Sequence, residues 1–129
     1  MILLDTSVCI RILRGRPETI ARHVGNAGNV ALPFMVVGEL YYGVAKSKDP
    51  VAGKLIVDKF TGAIPIIHST CEIMARFGVI KADLSAKGIH VEDADTLIAA
   101  MALELRMPLA TGNVRHFSRF QGLELVDSW

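Results

Sequence analysis

The sequence predicts an α/β fold in which a parallel sheet carries helices on both faces. Short apolar runs alternate with longer amphipathic segments along the whole chain, the order that successive βα units produce. Apolar residues make up 51% of the 129 positions, enough to cover both faces of a sheet. The first apolar run, Ile2-Leu3-Leu4, ends abruptly in Asp5-Thr6-Ser7. A buried strand handing over to a helix leaves such a pattern, with the carboxylate delivered to the strand's carboxyl end. Ligands of open α/β sheets bind at those ends, so Asp5 is the first residue to watch.

The elements follow in order. Ser7 to Leu13 suits a short helix capped by Thr6 or Ser7 and closed near Arg14-Gly15-Arg16. Pro17 fits the first turn of a second helix reaching about Asn26, with Gly28-Asn29 as a turn. Val30-Ala31-Leu32 reads as a strand stopped by Pro33, and Phe34 to Lys46 as a helix, being too long an apolar run for one strand. Asp49-Pro50 opens a further helix to about Phe60, closed by Thr61-Gly62. Ile64-Pro65-Ile66-Ile67 is a third strand, and Pro65 points to an edge or strand-start position. Ser69-Thr70 with Glu72 starts a helix to about Lys87-Gly88, and Val91 to Arg106 forms another. A strand at Pro108–Thr111, a short helix at Val114–Phe120 and a last strand at Leu123–Val126 complete the chain. Residues 1–129 are expected to form one domain.

Bulk properties narrow the function. The net charge is +1, so contact with RNA or DNA has to come from a local basic patch. No apolar run approaches the roughly 20 residues that span a bilayer, and the N-terminal run lacks a basic leader. A cytoplasmic location without membrane association is expected. Cys9 and Cys71, far apart and outside any C-x-x-C motif, are expected as reduced core residues.

The acidic residues carry the chemistry. Glu39 is the one charged residue between Pro33 and Lys46, on a helix apolar nearly all round. A carboxylate there needs a partner or a cation, because burying its charge alone is costly. Asp95, in the first turn of the Val91–Arg106 helix, lies at the margin of an apolar arc of Ala94, Leu97, Ile98, Met101 and Leu105, while Asp93 and Glu104 point to solvent. Carboxylates from separated segments, without a His or Cys cluster, describe a site for a hard cation such as Mg²⁺ or Mn²⁺. Such an ion serves phosphodiester hydrolysis by activating water. His23, His68, His90 and His116 lack ligand spacing and are expected to be structural or on the surface. Thr111-Gly112-Asn113 again sets polar groups at a strand's carboxyl end, where Thr111 and Asn113 are candidate supports for the acids. Arg14 and Arg115, with Arg11, Arg16 and Arg119 nearby in sequence, are candidates for meeting phosphates. Tyr41 and Tyr42 suit packing in a dimer interface better than base stacking.

Four stretches in this order resemble the PIN-domain ribonucleases, in particular the VapC-type toxins of prokaryotic toxin–antitoxin pairs. They are Leu4-Asp5-Thr6-Ser7; Gly38-Glu39-Leu40 with Tyr42-Gly43; Asp95-Thr96-Leu97-Ile98-Ala99-Ala100; and Thr111-Gly112-Asn113-Val114-Arg115-His116-Phe117. The closing Gly122-Leu123 and Trp129 also look like the family's tail. The resemblance implies a three-layer α/β/α fold with four to five mostly parallel strands. It implies Mg²⁺-dependent cleavage of RNA, tRNA or rRNA being the expected targets, with Mn²⁺ able to substitute. It further implies homodimerisation and inhibition by a cognate VapB-like antitoxin whose tail enters or covers the acidic site. Carried across, Asp5, Glu39 and Asp95 are the catalytic, metal-binding acids, and Thr6 and Ser7 supporting hydroxyls. Many relatives have a further acid near the Thr111-Gly112-Asn113 turn or where His116 stands, which leaves one metal or two open.

Two other readings compete. A phosphoaspartyl enzyme using Asp5 is weakened because no Asp lies two residues on and no lysine follows Thr111. A non-catalytic domain that binds RNA or a partner, its acids forming a metal-stabilised scaffold, would bind Mn²⁺ without turning RNA over.

Overall fold

The computed structural model describes residues 1–25 and 27–126. The expected end of the second helix at Asn26 and the tail residue Trp129 lie outside the described residues. The chain runs β1 (Ile2–Leu4), α1 (Thr6–Leu13), α2 (Pro17–Gly25), β2 (Val30–Pro33), α3 (Phe34–Ala45), α4 (Pro50–Ala63) and β3 (Ile66–Ile67). It continues through α5 (Cys71–Ala86), α6 (Asp93–Leu105), β4 (Leu109–Ala110), α7 (Val114–Phe117) and β5 (Leu125–Val126). The five strands form one parallel sheet in the order β3-β2-β1-β4-β5, within a three-layer α/β/α arrangement.

Strand composition explains strand position. Leu3 and Leu4 of β1, Val30, Ala31 and Leu32 of β2, and Leu109 and Ala110 of β4 are wholly buried. Strands covered on both faces need continuous apolar runs, and these have them. β3 lies at the edge, as Pro65 predicts: its carbonyl accepts from Leu32 N at 2.8 Å, while its missing N–H costs the sheet nothing there.

The order places β1 between β2, its successor, and β4, which follows much later. Chain order therefore reverses direction across the β1/β4 pair. That reversal opens a crevice at the strands' carboxyl ends, the usual ligand position in such sheets. Register sharpens the point. Leu4 lies opposite Ala110, so the next residues, Asp5 and Thr111, emerge side by side.

Several boundaries differ from expectation for local reasons. α1 starts at Thr6, and its cap is Asp5, whose Oδ1 accepts from Thr6 N at 2.8 Å. α4 continues through Thr61 and Gly62 to Ala63, the Thr61 hydroxyl turning back to the Val57 carbonyl at 3.0 Å. α6 begins at Asp93 and stops at Arg106, a left-handed residue with φ 54°. Leu105, expected in the buried arc, is partly exposed in the helix's last turn. Cys71 is exposed rather than in the core, whereas Cys9 is buried. Burial, with the charge of Asp5 nearby, pushes the Cys9 thiol well above its ordinary range.

Polar contacts tie the helices together on the outside. Asp93 pairs with Lys81 at 2.8 Å and Glu104 with Arg76 at 2.6 Å, joining α6 to α5 at the surface. The Tyr41 hydroxyl donates to Asp58 Oδ1 at 2.6 Å, linking α3 to α4. Tyr42 is exposed, with Lys46 Nζ 4.6 Å from its ring centroid.

Candidate active site

Asp5 is 5% exposed, and its carboxylate receives three hydrogen bonds. Thr6 N donates to Oδ1 at 2.8 Å, while the Ser7 and Thr111 hydroxyls donate to Oδ2 at 3.0 and 2.8 Å. Each hydroxyl also accepts from the neighbouring turn: Gly112 N donates to Ser7 Oγ at 3.0 Å, and Asn113 N to Thr111 Oγ1 at 2.9 Å. The start of α1 and the turn after β4 are thereby locked to each other through the carboxylate of Asp5.

Glu39 reaches the same corner from α3. The Thr6 hydroxyl donates to its Oε1 at 2.8 Å, so adjacent residues at the end of β1 touch two of the three acids. Burial raises the Glu39 pKa above its ordinary 4.5; the Thr6 hydroxyl opposes this, and the charges of Asp95 and Asp5 add to it. Glu39 therefore lies within the field of both other acids. Asp95, third residue of α6, receives its contact from His116, with Nε2 2.9 Å from Oδ2.

The three acids share one corner without being gathered into a ready-made cluster. Among the described residues, no three His, Cys, Asp or Glu side chains stand close enough together to hold an ion as they are. Like charges explain the spacing, because each carboxylate settles on its own hydroxyl or imidazole donor. The donor set is nonetheless all carboxylate and hydroxyl oxygen, which fits Mg²⁺ or Mn²⁺ and not a thiolate-seeking metal.

The raised Glu39 pKa sets a pH test. The folded chain holds a proton there more tightly than the unfolded chain, so stability from this group grows as pH falls toward 4.5 and declines as pH rises. Glu39→Gln keeps an oxygen for Thr6 and removes the charge. In chelator-treated protein the variant should melt above wild type at neutral pH, the gap closing toward pH 4.5. Equal melting at every pH would count against the shared field.

The remaining candidates divide. Ser7 and Thr111 are in place as supports of Asp5, and Thr6 bridges Asp5 and Glu39. Asn113 sits at the helix N-cap position but makes no side-chain capping bond; its contribution is its backbone N–H. Arg14 ends α1 and lines a groove of about 320 Å³ that also includes Glu39. The groove's other walls are mostly apolar, among them Ile10 and Leu13 from α1, Val44 from α3 and Ile56 from α4. Arg115 is exposed on α7. His116 is half-buried and bonded to Asp95, through an interaction across 21 residues that no local spacing announces.

The PIN domain family model matches residues 2–123. Ribonuclease VapC2 of Haemophilus influenzae is 34% identical over 128 residues, covering 98% of this chain and 96% of that protein. The tRNA(fMet)-specific endonuclease VapC of Salmonella typhimurium is 29% identical over 126 residues, covering 97% and 96% of the two chains. The crystal structure of DNA-bound VapBC from Salmonella typhimurium superposes with a TM-score of 0.87 at 29% identity, covering 98% of each chain. With a five-stranded parallel sheet, acids at its switch point and near full-length similarity of this kind, the chain belongs to the PIN-domain family, among its VapC-type members.

Proposed function

We propose that this chain is a Mg²⁺- or Mn²⁺-dependent endoribonuclease, the toxin half of a toxin–antitoxin pair, with residues 1–129 acting as one catalytic domain in the cytoplasm. The observation that carries the proposal is the bridge at the end of β1. There the backbone N–H of Thr6 holds Asp5 and its hydroxyl holds Glu39, while Glu39 senses Asp95 across the same corner. Among the described residues no helix is long and apolar enough to cross a membrane.

Asp5, Glu39 and Asp95 are the residues that would hold the cation, with Ser7 and Thr111 fixing Asp5. A divalent ion bound there supplies positive charge to a phosphodiester and eases the ionisation of water. The side chains do the rest. The Thr6 hydroxyl orients Glu39 through Oε1, holding that carboxylate toward the cation. Arg14 and Arg115 provide positive charge for the flanking phosphates, so cleavage should weaken as salt rises.

The relatives named VapC, and the VapBC complex, support RNA as substrate and a VapB-like protein as partner. The apolar groove between α1, α3 and α4 leads to Glu39 and suits an apolar antitoxin segment that ends over the acids. Homodimerisation belongs to the same proposal; exposed Tyr42, Val51 and Leu55 offer apolar surface for a second copy to cover.

The test is incubation of the purified chain with total RNA and Mg²⁺, with new ends mapped by sequencing. Discrete ends that vanish with EDTA and return with excess Mg²⁺ are expected. Cleavage that persists in EDTA would overturn metal dependence. Tight Mn²⁺ binding without cleavage would favour the non-catalytic scaffold.

A further inference from the structure

The ring of His116 stands between Asp95 and Arg119. Arg119 folds back on it twice: its Nε donates to the His116 carbonyl at 3.2 Å, and its Nη2 lies against His116 Nδ1. A guanidinium can only donate, so Nδ1 accepts and the ring proton sits on Nε2. Nε2 therefore donates to Asp95 Oδ2, 2.9 Å away. The neighbouring Phe117, 1% exposed and anchored in the core, meets the imidazole edge-on at 5.2 Å and 83°. Ring orientation, tautomer and partner are thus all specified by contacts on α7 and just beyond it.

Two consequences follow for the acidic corner. One Asp95 oxygen is committed to an N–H, which removes the rotational freedom of a short carboxylate at a helix start. The imidazole itself has nothing left to give a metal, since Nε2 bears a proton and the Nδ1 lone pair faces a cation. Arg119's charge also makes that side unfavourable for a divalent ion.

We propose that His116, oriented by Arg119, is a positioning residue that fixes Asp95 for metal binding without itself being a ligand, leaving a site built for one divalent ion per chain. The inference rests on the metal-dependent reading above and specifies its stoichiometry. Donors of this kind, one step removed from the ion, typically change metal affinity by about 10–100-fold when removed.

Calorimetric titration of the RNA-free full chain with Mn²⁺ tests it. Wild type should bind one Mn²⁺ per chain. H116A and H116N should bind about 10–100-fold more weakly, Asn being too short to place its amide against Asp95. H116Q should recover most of the affinity, because its terminal amide nitrogen sits where Nε2 does. R119M, at an exposed position, should fold normally and weaken binding by a smaller factor, which keeps the test decisive even if H116A unfolds. Two Mn²⁺ ions on wild type, or unchanged affinity in H116N and R119M, would overturn the proposal while leaving the nuclease reading intact. Wild type that binds no Mn²⁺ would overturn both.

Discussion

Asp5→Asn should abolish RNA cleavage, by about 10³-fold or more, and destabilise the fold as well. Asp95→Asn should match the first effect with little of the second. The difference lies in what surrounds each carboxylate. Both hydroxyls that donate to Asp5 Oδ2 already accept from backbone N–H groups, Ser7 from Gly112 and Thr111 from Asn113. Their protons are therefore committed to Asp5. An amide nitrogen at Oδ2 would face two donors with its own hydrogens, in a site that is 5% exposed. Leaving such groups unpaired costs about 1–3 kcal/mol. Asp95 stands half-exposed, where solvent relieves a poor contact. Thermal melts of both variants beside a cleavage assay check the prediction; equal melting of the two would contradict the locking role of Asp5.

Thr111→Val should have the next largest effect, for a residue that touches no metal in this account. Thr111 is fully buried and its hydroxyl joins Asp5 to the Asn113 N–H. Valine keeps shape and strand preference but strands both partners. Stability should fall by about 1–3 kcal/mol, and cleavage by about 10–100-fold as Asp5 loosens. Thr111→Ser, which retains the hydroxyl, should stay close to wild type in both. A valine variant with unaltered melting and rate would show that Ser7 alone suffices to hold Asp5.

The parts of this molecule that the sequence makes legible are those governed by short-range patterns. The β1 run ending at Asp5 announces both a buried strand and a site, because a charged residue cannot continue a strand buried on both faces. Pro65 announces an edge, and Asp49-Pro50 and Thr70 announce helix starts that the structure bears out with capping bonds to Ala52 N and Ile73 N. Glu39 stands out because nothing else on its helix is charged. Residue type makes Thr6 or Ser7 the expected cap of α1, which Asp5 provides instead; the role of Thr6 toward Glu39 depends on how α1 meets α3, and a crossing of two helices has no local signature.

His116 is the clearest case of a residue whose role the sequence withholds. Lone histidines are common, and its bond to Asp95 requires α6 and α7 to meet beyond the carboxyl edge of β4. The faint signal was Arg119, three residues on, which can reach back over one helical turn to fix a ring nitrogen. The groove between α1, α3 and α4 is similarly invisible before packing brings Ile10, Val44 and Ile56 to one depression. Residue type and the lack of a C-x-x-C motif favour a core position for Cys71, but it begins α5 on the surface.

The central claim is that Asp5, Glu39 and Asp95 serve a single divalent ion. Anomalous diffraction at the manganese edge, from crystals of the chain grown with Mn²⁺, addresses it most directly. One peak per chain is expected within about 2.5 Å of carboxylate oxygens from Asp5 and Asp95, with Glu39 beside it. A peak elsewhere, or none at saturating Mn²⁺, would contradict it.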